Sequence, residues 1–448
     1  MSNTAKNDKR KKGPPVELTP EYIAEMRALR EARKKAKKEA QGEKAPEPQQ
    51  QERFNYSFIK RPVLDIPGAT GYPNGHTFKI MTYNALAQSL IRRDLFPENG
   101  EALKWKYRGQ VLKAEIGHYK PDVLCMQEVD ANRVSSFWSP ELEKLGMECQ
   151  FTTFPGKAHG QIIAFNKKIF RPFAGSLFKY DEIESGKAPR QCPTRNTGMV
   201  LALEFADAPG KGVVIGTTHM FWHPVGSYER TRQLAVLIDC AGKFRQTIGH
   251  DDWQILLAGD YNSECFDTPY LCASGISSSE YIDSEALSIL KTSAAQRFAD
   301  ANELDPKAFG DSDDVVSKET LSDEEAQSRV DGLLQFYGTL DYRTKSLYGE
   351  TYKEVHPENV HPKSTIGEPF FSNWAHKWRG LLDYIFVLEK KNVDKQHKQP
   401  SEIVSGVKVL NVLRMPDPKE MGPEPSGQPR EGQYPSDHLC MMCTVSIE

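Results

Sequence analysis

From about residue 76 onward, short apolar runs alternate with stretches of helical spacing, the alternation expected of an α/β body. The runs predict strands over Phe78–Tyr83, Asp122–Gln127, Gln161–Phe165, Met199–Phe205, Val213–Thr218, Gln254–Ala258, Asp383–Leu388 and Leu439–Ser446. A helix is expected over about Glu101–Tyr119, with Leu103, Val111, Leu112 and Ile116 as its apolar members. A second is expected over about Tyr228–Arg245, with Leu234, Leu237, Ile238 and Ala241 on one side. No internal repeat is evident.

The two remaining stretches read differently. Residues 1–18 form a basic tail, and Thr19 followed by Pro20 signals the start of a helix running to about Ala40. Its face carries Arg27, Arg30, Arg33, Lys34, Lys35, Lys37 and Lys38, a solvated surface, a nuclear-localisation element or an RNA-backbone arm. After the linker at 41–53, the folded domain is expected over 54–448. Residues 273–365, acidic and Ser-rich, read as an insertion on one edge, with Ser322 and Glu325 as a capping box before Val330, Leu333 and Leu334.

Composition changes this picture little. The 448 residues are 38% hydrophobic and 27% charged, enough for a sizeable core. A net charge of −3 argues against a bulk-charge nucleic-acid binder, but it is unevenly spread. Residues 1–50 hold 13 Lys/Arg against 8 Asp/Glu, which leaves the other 398 residues at −8. The eight cysteines lack paired zinc spacing, and Cys440 and Cys443 form one CxxC inside an apolar run, so buried, reduced thiols are expected. No window approaches a membrane span and the N-terminus has no apolar targeting core. The expectation is a nuclear, nucleolar or cytoplasmic protein, neither secreted nor membrane-bound.

The chemistry lies where apolar runs meet polar residues. Asn84, Glu128, His219, Asp260 with Asn262, Asp383, and Asp437 with His438 each sit at the end or start of such a run. Each alone is an ordinary turn, cap or core residue. Together, at one end of a sheet sandwich, they would form an oxygen-rich site flanked by imidazoles, since buried charges need partners or a metal. Carboxylates and amides without a Cys/His set point to Mg²⁺, with Mn²⁺ as the alternative, and so to phosphate-ester hydrolysis.

The ordered set Asn84, Gln127–Glu128, Thr218–His219, Gly259–Asp260–Tyr261–Asn262, Leu382–Asp383–Tyr384–Ile385 and Ser436–Asp437–His438 resembles the endonuclease/exonuclease/phosphatase superfamily over about residues 76–447. Asn262–Ser263–Glu264 and Arg379–Gly380–Leu381–Leu382–Asp383 do not fit the inositol-polyphosphate 5-phosphatases. Trp105 and Arg108, Pro224 five residues after His219, and Asn373 ten before Asp383 look like the deadenylase/nocturnin/Angel branch. The run Phe221–Gln233 (FWHPVGSYERTRQ) is most similar to fungal Ngl-type RNA exonucleases.

The resemblance implies a four-layer α/β/β/α sandwich of two mixed β-sheets flanked by helices. It makes Glu128 the principal metal ligand, with Asn84 and Asp437 beside it. Asp260 would orient or deprotonate water, Asn262 would hold water, metal or phosphate, and His219 and His438 would act on the phosphate, with Asp383 orienting His438. Trp378 and Pro224 would flank the terminal base, near Asn373. His159 and Leu381 depart from the branch pattern, so poly(A) specificity is not implied. The expected function is a Mg²⁺-dependent 3′→5′ exoribonuclease acting on an RNA 3′ end, with ribosomal RNA precursors as the substrate and protein partners unknown. Its alternatives are a deadenylase-like activity on mRNA, a phosphatase on a nucleotide or RNA-end phosphate, or an inactive RNA-binding scaffold.

Overall fold

The computed structural model describes residues 54–93, 96–276, 282–298, 316–375, 378–391, 402–421 and 427–448; the expected basic helix at 19–40 lies outside them. The strands begin with β1 (Val63–Asp65), β2 (His76–Asn84), β3 (Val123–Asp130), β4 (Met147–Thr152) and β5 (His159–Asn166). Then come β6 (Phe170–Lys179), β7 (Thr197–Phe205), β8 (Gly212–His219), β9 (Gln254–Asp260), β10 (Gln296–Phe298) and β11 (Val316–Thr320). The last are β12 (Tyr342–Ser346), β13 (Asn373–Ala375), β14 (Trp378–Gly380), β15 (Asp383–Lys390), β16 (Glu402–Val404), β17 (Val407–Leu413) and β18 (Met441–Ile447).

One sheet has the order β1-β17-β18-β2-β3-β5-β4, with β16 added on β17; the other has the order β12-β15-β9-β8-β7-β6. Both are mixed. Among the described residues only β2 with β3 and β8 with β9 run parallel, and each pair is joined through a long helix. The Trp105–Tyr119 helix links the first pair and the Ser227–Thr247 helix the second. A parallel connection needs such a crossover.

Residue alternation explains why the central strands read as unbroken apolar runs. In β2 and β3, Ile80, Val123 and Cys125 join the core shared with the second sheet. Their neighbours Met81, Tyr83, Leu124 and Met126 point the other way, onto Leu112 and Ile116 of the Trp105–Tyr119 helix. That helix ends at Lys120, which takes a left-handed φ of 50° and returns its N–H to the Ile116 carbonyl before Pro121. The Ser227–Thr247 helix lies against β7, β8, β9 and β12. It approaches β12 so closely at Gly242 that a side chain there would strike the Tyr342 ring.

All eight expected strands and both expected helices are present, and the four-layer sandwich holds. The unexpected strands are mostly at edges. β6 is the outermost strand of its sheet, mixes mostly exposed and part-buried residues with the buried Phe170 and Phe178, and carries Pro172 beside a register shift, all compatible with an edge. Within 273–365, the Ser284–Ala295 and Asp323–Thr339 helices pack on the Ser227–Thr247 helix, and the Ser322–Glu325 capping box forms. β12, at the far end of that stretch, is an edge strand of the second sheet. All eight cysteines are free thiols, and among the described residues no helix is long and apolar enough to cross a membrane.

Candidate active site

Strand register brings the site together. In the second sheet Asp260, the last residue of β9, sits opposite His219 on β8 and Asp383 on β15. In the first, Asn84 ends β2 beside Gln127 on β3. The two sheets are stitched just below by Gln127, whose Nε2 donates to Thr217 Oγ1 at 3.1 Å. His438 arrives from the segment before β18 and forms an isolated bridge with Asn373.

Gln127 faces the space between the sheets, so simple alternation would turn Glu128 away from it. A register shift between Met126 and Val129 and a left-handed φ of 53° at Glu128 re-aim the side chain. Its Oε1 accepts from Asn84 Nδ2 at 3.1 Å and its Oε2 from the Ala87 backbone N–H at 3.0 Å. Asn262 is also left-handed, at φ 49°. Such non-glycine conformations cost about 1–2 kcal/mol each and persist where the surroundings impose them.

Asp260 is the hub, and it is 1% exposed. Its Oδ1 accepts from the Asn262 backbone N–H at 2.9 Å, and its Oδ2 from Asn84 Nδ2 at 2.8 Å. The Nε2 atoms of His219 and His438 both lie 3.6 Å from that same Oδ2. Asp383 grips the far side of His438, with Oδ2 at 2.8 Å from Nδ1. Ser372 fixes Asp383 in turn: its hydroxyl donates to Oδ2 at 2.7 Å and accepts from the Leu382 and Asp383 N–H groups. Ser436 donates to the Asn84 carbonyl at 2.8 Å and accepts from the His438 N–H, locking the last motif onto the first.

The electrostatics follow from burial and proximity. Burial disfavours the His438 imidazolium, but Asp383, Asp260 and Asp437 outweigh it and hold that pKa well above the ordinary value. Burial would also raise Glu128, yet His219, His159 and His438 bring it below the ordinary range. Asp437 is pushed up to about 6 by burial, with Glu128 adding repulsion. Burial brings His159 down to about 4.

The donor set suits a hard divalent cation. Glu128, Asp260 and Asp437 are carboxylates; the Asn84 amide bridges Glu128 and Asp260, and Asp437 lies near enough to Glu128 to be repelled by it. Asp260, Asp383 and His438 also place ligand atoms within 4.8 Å of one another. Of these, Asp383 Oδ2 is already occupied by His438 and Ser372, so Asp383 orients the imidazole, while its Oδ1 has no hydrogen-bond donor. Glu128 and His219, at 13% and 15% side-chain exposure, open the site to solvent.

Asn84, Glu128, His219, Asp260, Asn262, Asn373, Asp383, Asp437 and His438 thus converge. Trp378 and Pro224 are exposed and lie on separate segments, a hairpin and a loop. Ser372, Ser436, Gln127 and Arg108 hold this site together. Ser436 belongs to the Ser436–Asp437–His438 motif, whereas Ser372 carries no sequence signal beyond preceding Asn373. Arg108 is 1% exposed and donates to the carbonyls of Ala85, Leu86 and Pro435.

Two parallel β-strand pairs, a carboxylate hub and a His–Asp pair at one rim define a phosphoesterase-type sandwich, and the chain belongs to the endonuclease/exonuclease/phosphatase family, matching it over residues 81–438. Its sequence is 36% identical to the RNA exonuclease NGL2 of Saccharomyces cerevisiae over 484 aligned positions, covering 100% of this chain and 92% of that one. It is 38% identical to a probable RNA exonuclease of Schizosaccharomyces pombe over 462 positions, covering 97% and 89%. The crystal structure of ANGEL2, a 2′,3′-cyclic phosphatase, in complex with adenosine-2′,3′-vanadate shares the fold, with a TM-score of 0.58 at 21% identity over 88% of this chain and 100% of that one.

Proposed function

We propose that this chain is a divalent-metal-dependent hydrolase of RNA phosphodiester bonds, a 3′→5′ exoribonuclease using Mg²⁺ and trimming RNA 3′ ends such as those of ribosomal RNA precursors. The observation that carries the reading is the Asp260 carboxylate held between two imidazoles and an amide, beside Glu128. The likeness to the two fungal RNA exonucleases supports RNA as the substrate.

The residues divide the work as follows. Asp260 cannot rotate, because both oxygens are hydrogen-bonded, so it can orient a water molecule and take its proton. His438, fixed at Nδ1 by Asp383, presents Nε2 to a phosphate oxygen, and His219 presents its own Nε2 from the neighbouring strand. Glu128, Asp437 and Asn84 would hold the metal. When bound, the ion supplies charge neutralisation at the phosphate. The water oxygen forms a bond to phosphorus, the P–O3′ bond breaks, and the products are a nucleoside 5′-monophosphate and an RNA one residue shorter.

The test is product identification. Purified protein with single-stranded RNA and Mg²⁺ should release nucleoside 5′-monophosphates, detected by chromatography; EDTA should abolish release and added Mg²⁺ restore it. Inorganic phosphate as the sole product, with RNA length unchanged, would replace this reading by a phosphatase. No product with intact RNA binding would leave an inactive scaffold.

A further inference from the structure

The loop between β8 and the Ser227–Thr247 helix holds two exposed apolar residues, Trp222 and Val225, at 43% and 40% exposure. Exposed large side chains are common, but this loop is pinned nearly residue by residue. The Met220 carbonyl accepts from Asn262 Nδ2 at 2.9 Å, and the Phe221 N–H donates to Gln233 Oε1 at 3.1 Å. Arg230, itself 5% exposed, donates to the carbonyls of Phe221, His223 and Pro224 and, through Nε, to Ser263 Oγ at 3.1 Å. The Val225 carbonyl accepts from Ser293 Oγ at 2.6 Å. Phe221 and His223, on either side of Trp222, are buried.

The hairpin that carries Trp378 is tied to the same turn. The Leu381 N–H donates to Glu264 Oε2 at 3.0 Å, and a side chain at Gly380 would strike both the Trp378 indole and Glu264. The loop of Trp222 is therefore tied to Asn262 and Ser263, and the hairpin of Trp378 to Glu264. The two segments that carry these exposed indoles are thus tied to three consecutive residues that start at Asn262.

We propose that Trp222 is a second stacking platform, taking the unpaired RNA base next to the terminal one, while the terminal base lies with Trp378 and Pro224. This rests on the RNA-hydrolase reading above and deepens it. An indole on a loop already fixed before binding spares the cost of ordering that loop, and a base stacked on it contributes about 1–3 kcal/mol whatever its identity. A pinned, exposed aromatic beside a phosphodiester site fits a base better than a protein partner, because the substrate strand must pass the rim to reach Asp260.

The test uses the full chain and short single-stranded RNAs with 2-aminopurine at the last, next-to-last or third-last position, titrated in EDTA so that no cleavage intervenes. Quenching at the next-to-last position should disappear in Trp222→Ala and survive in Trp222→Phe. Affinity should fall about 5- to 150-fold in Trp222→Ala, the range that one stacked base contributes. Hydrolysis of bis(4-nitrophenyl) phosphate, which carries no base, should be unchanged. Wild-type binding by Trp222→Ala, or an equal loss on the small diester, would overturn the platform. If wild-type protein binds RNA through Trp222 yet never shortens it, the exonuclease reading fails and the platform stands. If RNA is shortened and Trp222→Ala binds and turns over normally, the platform fails alone.

Discussion

Asp383 and His438 are 55 residues apart in the chain and 2.8 Å apart in the site. Because Asp383 Oδ2 is hydrogen-bonded to His438 Nδ1 and held by Ser372, its effect should pass through the imidazole. Asp383→Asn and His438→Gln are each expected to lower kcat by about 10²–10³, the loss typical of one transition-state donor. The double variant should be no worse than the poorer single variant, since residues that act as a unit are not additive. Multiplying losses would show that Asp383 acts independently. At this scale the sequence was informative through combination: carboxylates, amides and imidazoles at strand ends are ordinary one by one, and only their joint order pointed to a site. It was silent on Ser372, whose hydroxyl is indistinguishable in sequence from any turn serine, and it gave Ser436 only as a motif member, not as the tie to the Asn84 carbonyl. It was equally silent on the left-handed backbone that turns Glu128 inward, because φ at a glutamate leaves no mark in composition.

Among the elements, the Trp105–Tyr119 helix does more than cover a sheet. Through Arg108 it reaches the carbonyls of Ala85 and Leu86 after β2 and of Pro435 ahead of Ser436–His438. Burial lowers the Arg108 pKa to about 10, which still leaves it charged at neutral pH. Arg108→Met would strand three buried acceptors and should destabilise the fold by about 2–4 kcal/mol. It should also slow turnover, because the two segments it joins carry Asn84 and His438. Urea unfolding together with kcat checks both effects; full activity in a destabilised protein would make Arg108 purely structural. Elements buried on both faces, such as β3 and β9, were legible as apolar runs. Edge strands such as β6 and β12 were not, because an edge mixes exposed and buried positions and tolerates Pro172.

On the scale of the whole molecule, charge is partitioned. The acidic excess of residues 51–448 includes the site carboxylates, while the basic excess belongs to residues 1–50. Phosphate contacts made by lysine and arginine release counterions, so removing residues 1–53 should flatten the salt dependence of RNA binding while leaving kcat at saturating RNA unchanged. An unchanged salt slope would assign that segment to targeting or spacing. Fold class was legible from strand–helix alternation, and the site from the order of its motifs. What alternation could not reveal was the pairing between strands distant in sequence, such as β15 on β9, which places Asp383 opposite Asp260.

The most direct measurement is a time course with 5′-labelled single-stranded RNA, Mg²⁺ and either the wild-type chain or Glu128→Ala. Wild-type protein is expected to produce a ladder of products shortened one residue at a time from the 3′ end, and Glu128→Ala to lose at least about 10²-fold in rate, as when a principal charge-stabilising group is removed. Full-length RNA persisting with wild-type protein, or an undiminished ladder with Glu128→Ala, would contradict the assignment.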